Sequence, residues 1–328
     1  MLEVAPWWLP GGHLQTVVAA KLARVGDEAA ALRWQRERWS TPDDDFIDVD
    51  RLTVAHSAST PCLVLFHGLE GSSASHYARA FALEARQRGW NFVLPHFRGC
   101  GGSMNAAPRA YHSGDWSEID WMLRRIRRMH AGPIYAVGVS LGGNALMRWA
   151  GERADLARAT VDAVASVCAP LDLVRSGQAL GEGLNRLLYT PMFLHTMKPK
   201  ARAKWQQYPG LFDLDRAMRA RTLAQFDDAF TAPLHGFHGV MDYWTRASAK
   251  PWLHRLEVPA LLLNARNDPF VPESSLPQRQ DVSDSVTLWQ PSQGGHVGFV
   301  QGAWPGHVGA MPRAVADWLQ HNAEQRGG

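Results

Sequence analysis

Apolar residues along the chain gather into short runs, and these runs alternate with stretches whose apolar positions recur at helical spacing. "CLVLFHG" (Cys62 to Gly68), "WNFVLPHF" (Trp90 to Phe97), "IYAVGV" (Ile134 to Val139) and "VDAVASVCA" (Val161 to Ala169) are continuous enough to be strands covered on both faces. "DFIDVDRLTVA" (Asp45 to Ala55) alternates apolar with polar, as a half-exposed strand does. Between these runs the pattern predicts helices over about Ser75 to Arg88, Asp115 to His130 and Leu141 to Ala154. Strand and helix in alternation imply a mainly parallel central sheet covered by helices on both faces.

The rhythm breaks at about Leu171. From there to Lys250 the text is helical or irregular, rich in Leu, Met, Phe and Arg, and holds no convincing strand. It resumes with "PALLLNARND" (Pro259 to Asp268), "SVTLWQPSQGGH" (Ser285 to His296) and a closing helix near Val308 to Ala323. A connection of about 80 residues is far longer than ordinary loops, and such insertions are commonly lids. The expectation is one α/β domain over 1–328 with a helical cap inserted at 171–250.

Composition narrows this modestly. With 328 residues, 46% hydrophobic and 20% charged, the chain can bury a sizeable core. A net charge of +3 is too weak to argue for nucleic acid. The densest basic run, "RRIRRMH" (Arg124 to His130), closes a helix that opens with Asp115, Glu118 and Asp120, which reads as a solvated face matched to the helix dipole. Three cysteines without disulfide spacing suit a reducing compartment. No basic leader followed by an apolar stretch opens the chain, and no run reaches the length of a membrane span, so the expected location is cytoplasmic.

The sharpest chemical signal is "GVSLGG" (Gly138 to Gly143), where Ser140 stands between glycines at a strand-to-helix switch. Alone, G-x-S-x-G is a weak match. Here an apolar strand precedes it, and a helix with Leu141, Ala145, Leu146 and Trp149 on one face follows, which is the context a nucleophile elbow requires. A serine hydroxyl needs a base within reach and a third group to orient that base. Asp268, in "ARNDPFVP", and His296, in "QGGHVGF", each follow a later strand in turn-type text. Asp172, after the preceding strand, competes for the acid's place. His307 competes for the base's, although it precedes the last helix rather than ending a strand.

Acyl chemistry also needs amide donors for the oxyanion. Leu141, after the nucleophile, and Leu69, in the loop "HGLEGSS", are the candidates. His67 reads as a brace for that loop, and Glu70 as either a solvated charge or a loop-fixing acceptor. "HFRGCGGS" (His96 to Ser103) lacks the phosphate-loop pattern and reads as a tight turn with Arg98 as buttress. There is no H-E-x-x-H or paired C-x-x-C, so neither metal nor cofactor is implied.

Taken together, Ser140, Asp268 and His296 in that order make the chain resemble the α/β-hydrolase superfamily. More narrowly, it resembles the YheT-type family of predicted hydrolases, related to the animal ABHD lipid-ester hydrolases. The stretches that carry the resemblance are "LPGGHLQT", "FHGLEGS", "HFRGCGG", "YHSG", "VGVSLGGN", "TAPLHGF", "NARNDPF" and "GGHVGF". The resemblance implies Ser140 as nucleophile, Asp268 as acid, His296 as base and an esterase-like reaction. His96 departs from the wider superfamily, many members of which carry Asp before the Arg-Gly turn.

Two stretches have no catalytic reading of their own. In "PWWLPGGHLQT", Trp7 and Trp8 read as anchors of the terminus in preference to a pocket lining, and "TAPLHGF" has no chemical assignment. "LNRLLYTPMFLHTM" suits the roof of an acyl pocket, a helix packing its apolar face on the body, or both, and "KPKARAK" (Lys198 to Lys204) reads as a solvated run that could meet anionic lipid head groups. The expected function is a serine carboxylic-ester hydrolase acting on a small-molecule ester with an apolar acyl or alcohol part. An acyltransferase using the same triad and a non-catalytic small-molecule receptor are its rivals.

Overall fold

Eight strands form one sheet among the described residues, which are 5–54 and 59–325 of the computed structural model. They are β1 (Gln35–Ser40), β2 (Phe46–Leu52), β3 (Cys62–Phe66), β4 (Asn91–Pro95), β5 (Ile134–Val139), β6 (Ala163–Val167), β7 (Ala260–Leu263) and β8 (Val286–Trp289). Their spatial order is β1-β2-β4-β3-β5-β6-β7-β8, with β3 to β8 parallel and the β1–β2 and β2–β4 pairs antiparallel. The strand expected over 45–55 appears as β2. Ala55, at its end, and residues 1–4 of the N-terminus lie outside the described residues.

The apolar runs are continuous because both faces are covered. In β3, Cys62, Val64 and Phe66 enter one core, while Leu63 and Leu65 enter the other. β5 divides the same way, with Ile134 and Ala136 on one face and Tyr135, Val137 and Val139 on the other. The helices α1 (Gly12–Lys21), α2 (His76–Gln87), α3 (Trp116–Met129), α4 (Leu141–Arg153) and α5 (Asp155–Arg158) come before β6. On the first face lie α3 and α4; the second carries α2 and a helix near the C-terminus, Ala310–Glu324.

β1 has no apolar alternation and was not expected. What holds it is charge: Arg36 and Arg38 stand directly opposite Asp50 and Asp48 on β2, with contacts of 2.7 and 2.9 Å. Charge also corrects the expectation for α3. At its basic end Arg124 and Arg128 are exposed and Arg125 and Arg127 half-buried, but Asp115, Glu118 and Asp120 are buried, paired with Arg109, Arg98 and Arg153 respectively. The acids therefore bind the helix to its neighbours rather than face water.

Between β6 and β7 the chain runs through α6 (Leu173–Leu180), α7 (Gly183–Gln207), α8 (Leu214–Arg219), α9 (Leu223–Phe226), α10 (Ala232–Leu234) and α11 (Val240–Ala247), and α12 is the helix Ala310–Glu324. The insertion packs on a core of its own that includes Leu194, Phe212, Leu223, Phe226 and Phe230. Asn144 of α4 ties down its far end. The Asn144 amide donates to the Ser113 and Ala247 carbonyls at 2.9 Å each and accepts from Ala249 N–H at 2.9 Å.

Candidate active site

Ser140 leaves β5 with φ 52° and ψ −119°, a left-handed backbone that costs a non-glycine residue free energy. The strain is held from both sides. Its N–H donates to Val167 O of β6 at 2.9 Å, and the first turn of α4 begins at Leu141. A Cβ at Gly138 would run into the Gly142 carbonyl, and one at Gly142 into the Phe66 carbonyl. Both glycines are required because backbone passes where side chains would stand.

The three residues expected from sequence converge. His296 Nε2 lies 3.0 Å from Ser140 Oγ, and its Nδ1 lies 2.8 Å from Asp268 Oδ2. The Asp268 side chain is fully buried, and its other oxygen accepts from Phe270 N–H at 2.8 Å and Val271 N–H at 3.3 Å. Phe270 also packs its ring 4.2 Å from the imidazole. Asp172 instead caps α6, accepting from Arg175 N–H. His307 pairs through its backbone with Gln301.

Leu69, Leu141, Ser140 and His296 line one cavity. Neither the Leu69 nor the Leu141 N–H has an acceptor among the described residues, which leaves both free for a ligand oxygen. The loop that carries Leu69 is tied down at several points. His67, wholly buried, accepts from Phe97 N–H at 3.0 Å through Nε2 and meets Gly68 O at 2.8 Å through Nδ1. Burial pushes this imidazole down to about 3, as a neutral brace requires. Glu70 is a loop-fixing acceptor: Tyr111 Oη donates to its carboxylate at 2.8 Å, and Lys200 of α7 pairs with it at 2.9 Å.

Arg98 buttresses the neighbouring turn as expected, buried among Asp43, Asp45 and Glu118. His96, just before the Arg-Gly turn, pairs with Asp50 at 2.9 Å. His112 also lines the cavity, but burial pushes it down to about 3, which makes it a poor general base.

Cys168, Asp268 and His296 bring possible metal-ligand atoms within 4.8 Å of one another. Both imidazole nitrogens already have partners in Asp268 and Ser140. Burial, reinforced by Asp268, holds the Cys168 thiol well above its ordinary pKa and so protonated.

Three expectations need correction. The stretch "PWWLPGGHLQT" does support the site. Thr16 Oγ1 accepts from His296 N–H at 2.8 Å, while Gln15 Oε1 accepts from Gly294 N–H and Asn267 Nδ2, both at 2.9 Å. Gly12 lets α1 come close, since a Cβ there would strike the Asn267 carbonyl. Among the anchors, Trp8 holds Gly302 O at 3.1 Å and packs on Trp304, whereas Trp7 is 93% exposed and anchors nothing. "KPKARAK" is not wholly solvated: Lys200 pairs with Glu70, and Lys204 is buried, donating to the Asn105 and Ala107 carbonyls, with burial pushing it down to about 8.

In "TAPLHGF", His235 sits between Thr231 O at 2.8 Å and Ala110 O at 2.9 Å, joining the insertion to the loop before α3. Most of the cavity wall is apolar, with Leu173, Leu180, Phe193, Met197, Phe226 and Phe230 contributed by the insertion.

A family model described as the alpha/beta hydrolase fold matches residues 61–303. The chain is 37% identical over 313 residues to the Escherichia coli (strain K12) protein named "Putative esterase YheT", covering 94% of this chain and 89% of that one. It is 27% identical over 283 residues to human "Phospholipase ABHD3", covering 85% of this chain and 69% of the relative. The esterase Pf2001 of Pyrococcus furiosus superposes with a TM-score of 0.56 at 15% identity, over 91% of this chain and 98% of that one. That likeness speaks for the fold alone.

Proposed function

Because the chain belongs to the α/β-hydrolase family and is a hydrolase, we propose that it is a serine carboxylic-ester hydrolase working through Ser140, His296 and Asp268. The observation that carries the reading is the unbroken contact from Asp268 through His296 to Ser140, at 2.8 and 3.0 Å, beside two unpaired amides. Ser140 Oγ attacks the ester carbonyl carbon as His296 Nε2 takes its proton. The Leu69 and Leu141 N–H groups hold the oxyanion. Collapse expels the alcohol, which takes the proton from His296 and leaves an acyl-enzyme. Water then attacks that acyl group, losing a proton to His296, and the second collapse returns the proton to Ser140 and frees the carboxylic acid.

Residues 171–250 act as a cap over this site, and their apolar wall suits an ester with an apolar acyl or alcohol part. The phospholipase and esterase names of the relatives agree with a small-molecule ester substrate of that kind. Among the described residues no helix is long and apolar enough to cross a membrane.

Hydrolysis of p-nitrophenyl butyrate by Ser140→Ala, Asp268→Asn and Asp172→Asn, each checked for folding, tests the assignment. Ser140→Ala should lose at least about a thousandfold in kcat/KM. Asp268→Asn should be severely impaired and Asp172→Asn close to wild type. The reverse order for the two aspartates would reassign the acid.

A further inference from the structure

Helix α7 has two apolar faces, and only one is used by the fold. Its inner face supplies Phe193 and Met197 to the cavity and buries Tyr189 and Leu194. On the outer face Leu184, Leu187, Leu188 and Met192 are 57, 71, 53 and 47% exposed. These positions stand at i, i+3, i+4 and i+8, so they form one stripe, with Pro191 and His195 exposed beside it. Scattered exposed leucines need no explanation, but a stripe of them does. α1 adjoins the helix through the stacking of His13 on Tyr189, ring centres 5.8 Å apart, and adds the exposed Leu14 and Val17.

The charges on this helix have one sign. Between Gly183 and Gln207 there is no Asp or Glu; Glu182 comes just before. Lys200 and Lys204 turn inward, so the outer side keeps Arg202 and the half-buried Lys198, in line with the stripe. The outer face is therefore apolar in its first half and basic in its second, the arrangement of a helix that lies in a membrane interface.

We propose that the outer face of α7, with Leu14 and Val17 beside it, docks the protein on an anionic lipid bilayer. A second copy of the chain packed symmetrically on the stripe would bury the leucines but leave Lys198 and Arg202 without counter-charge. Anionic head groups answer both features. The inner face of the same helix roofs the cavity, so docking brings the site next to a reservoir of apolar esters; that consequence, though not the docking, rests on the hydrolase reading.

Co-sedimentation of the full chain with vesicles of phosphatidylglycerol and phosphatidylethanolamine, set against phosphatidylcholine vesicles, tests this. Solution hydrolysis of p-nitrophenyl butyrate is followed in parallel. Wild type should bind the anionic vesicles, more weakly as salt rises. The Leu187→Asp/Leu188→Asp and Lys198→Glu/Arg202→Glu variants should each bind about tenfold less or worse, with solution turnover unchanged. Absence of wild-type binding overturns the proposal, as do variants that bind like wild type. Equal binding to phosphatidylcholine overturns the anionic assignment. A wild-type dimer that ignores vesicles and falls apart in the leucine variant makes the stripe a subunit interface and also overturns it. Vesicle binding lost in the variants, from a protein that hydrolyses no ester, would uphold docking and refute the hydrolase reading.

Discussion

Thr16 Oγ1 accepts the backbone N–H of His296 at 2.8 Å, although 280 positions of sequence separate the two residues. Together with Gln15, which holds Gly294 and Asn267, it makes α1 the clamp on the two loops that carry the base and the acid.

Thr16→Val keeps the shape and removes the acceptor, leaving the His296 N–H unsatisfied. A lost buried hydrogen bond costs about 1–3 kcal/mol; spent on the base's placement, that is roughly tenfold or more in kcat. Steady-state kinetics should show kcat reduced and KM little changed, with Thr16→Ser restoring the rate. Equal losses in both variants would mean the hydroxyl is not the cause.

Tyr111→Phe probes the oxyanion loop. Glu70 follows Leu69 with φ 57°, and Tyr111 Oη lies 3.0 Å from its N–H and 2.8 Å from its carboxylate. Without the hydroxyl, this strained residue keeps Lys200 on its carboxylate but loses the acceptor of its N–H, and Leu69 N–H loses its aim. We expect kcat to fall about tenfold with folding intact. An unchanged kcat would detach Tyr111 and Glu70 from catalysis.

The parts of the site that were legible in the sequence are those marked by chain punctuation. Ser140, Asp268 and His296 all sit where an apolar strand ends in glycine- or proline-bearing text, and parallel strands bring such ends to one edge of the sheet. β3 and β5 were legible because burial on both faces leaves an unbroken apolar run. β1 was not, since its register rests on Arg36 and Arg38 against β2 carboxylates, and alternating charge looks like a solvated loop. Gln15 and Thr16 were missed for the same reason: a polar side chain on the buried face of a helix is indistinguishable, in a hydrophobic pattern, from one facing water. Each was found only through the partner it meets.

Asp227, on the cavity wall, gives a test by pH. Burial pushes its carboxyl up to about 6 from an ordinary 3.8, against the hydrogen bonds from Thr231 and Trp244 that lower it. A folded value above the unfolded one means that the folded protein holds the proton more tightly. That stabilisation is complete below about pH 4 and is lost as pH rises through about 6. In Asp227→Asn the amide keeps both partners without a charge. Its melting temperature should match wild type in acid, draw ahead between about pH 4 and pH 6, and stay ahead by a constant margin above that. A gap independent of pH would contradict the assignment.

The central claim is that Ser140 is a nucleophile activated by His296, and covalent trapping tests it most directly. Folded wild-type protein is treated with a fluorophosphonate and the adduct located by peptide mass spectrometry. The account predicts a single phosphonylated residue, Ser140, with labelling abolished in Ser140→Ala and slowed by at least about a hundredfold in His296→Ala. Stoichiometric labelling elsewhere, or no labelling of a folded, ester-cleaving protein, would contradict it.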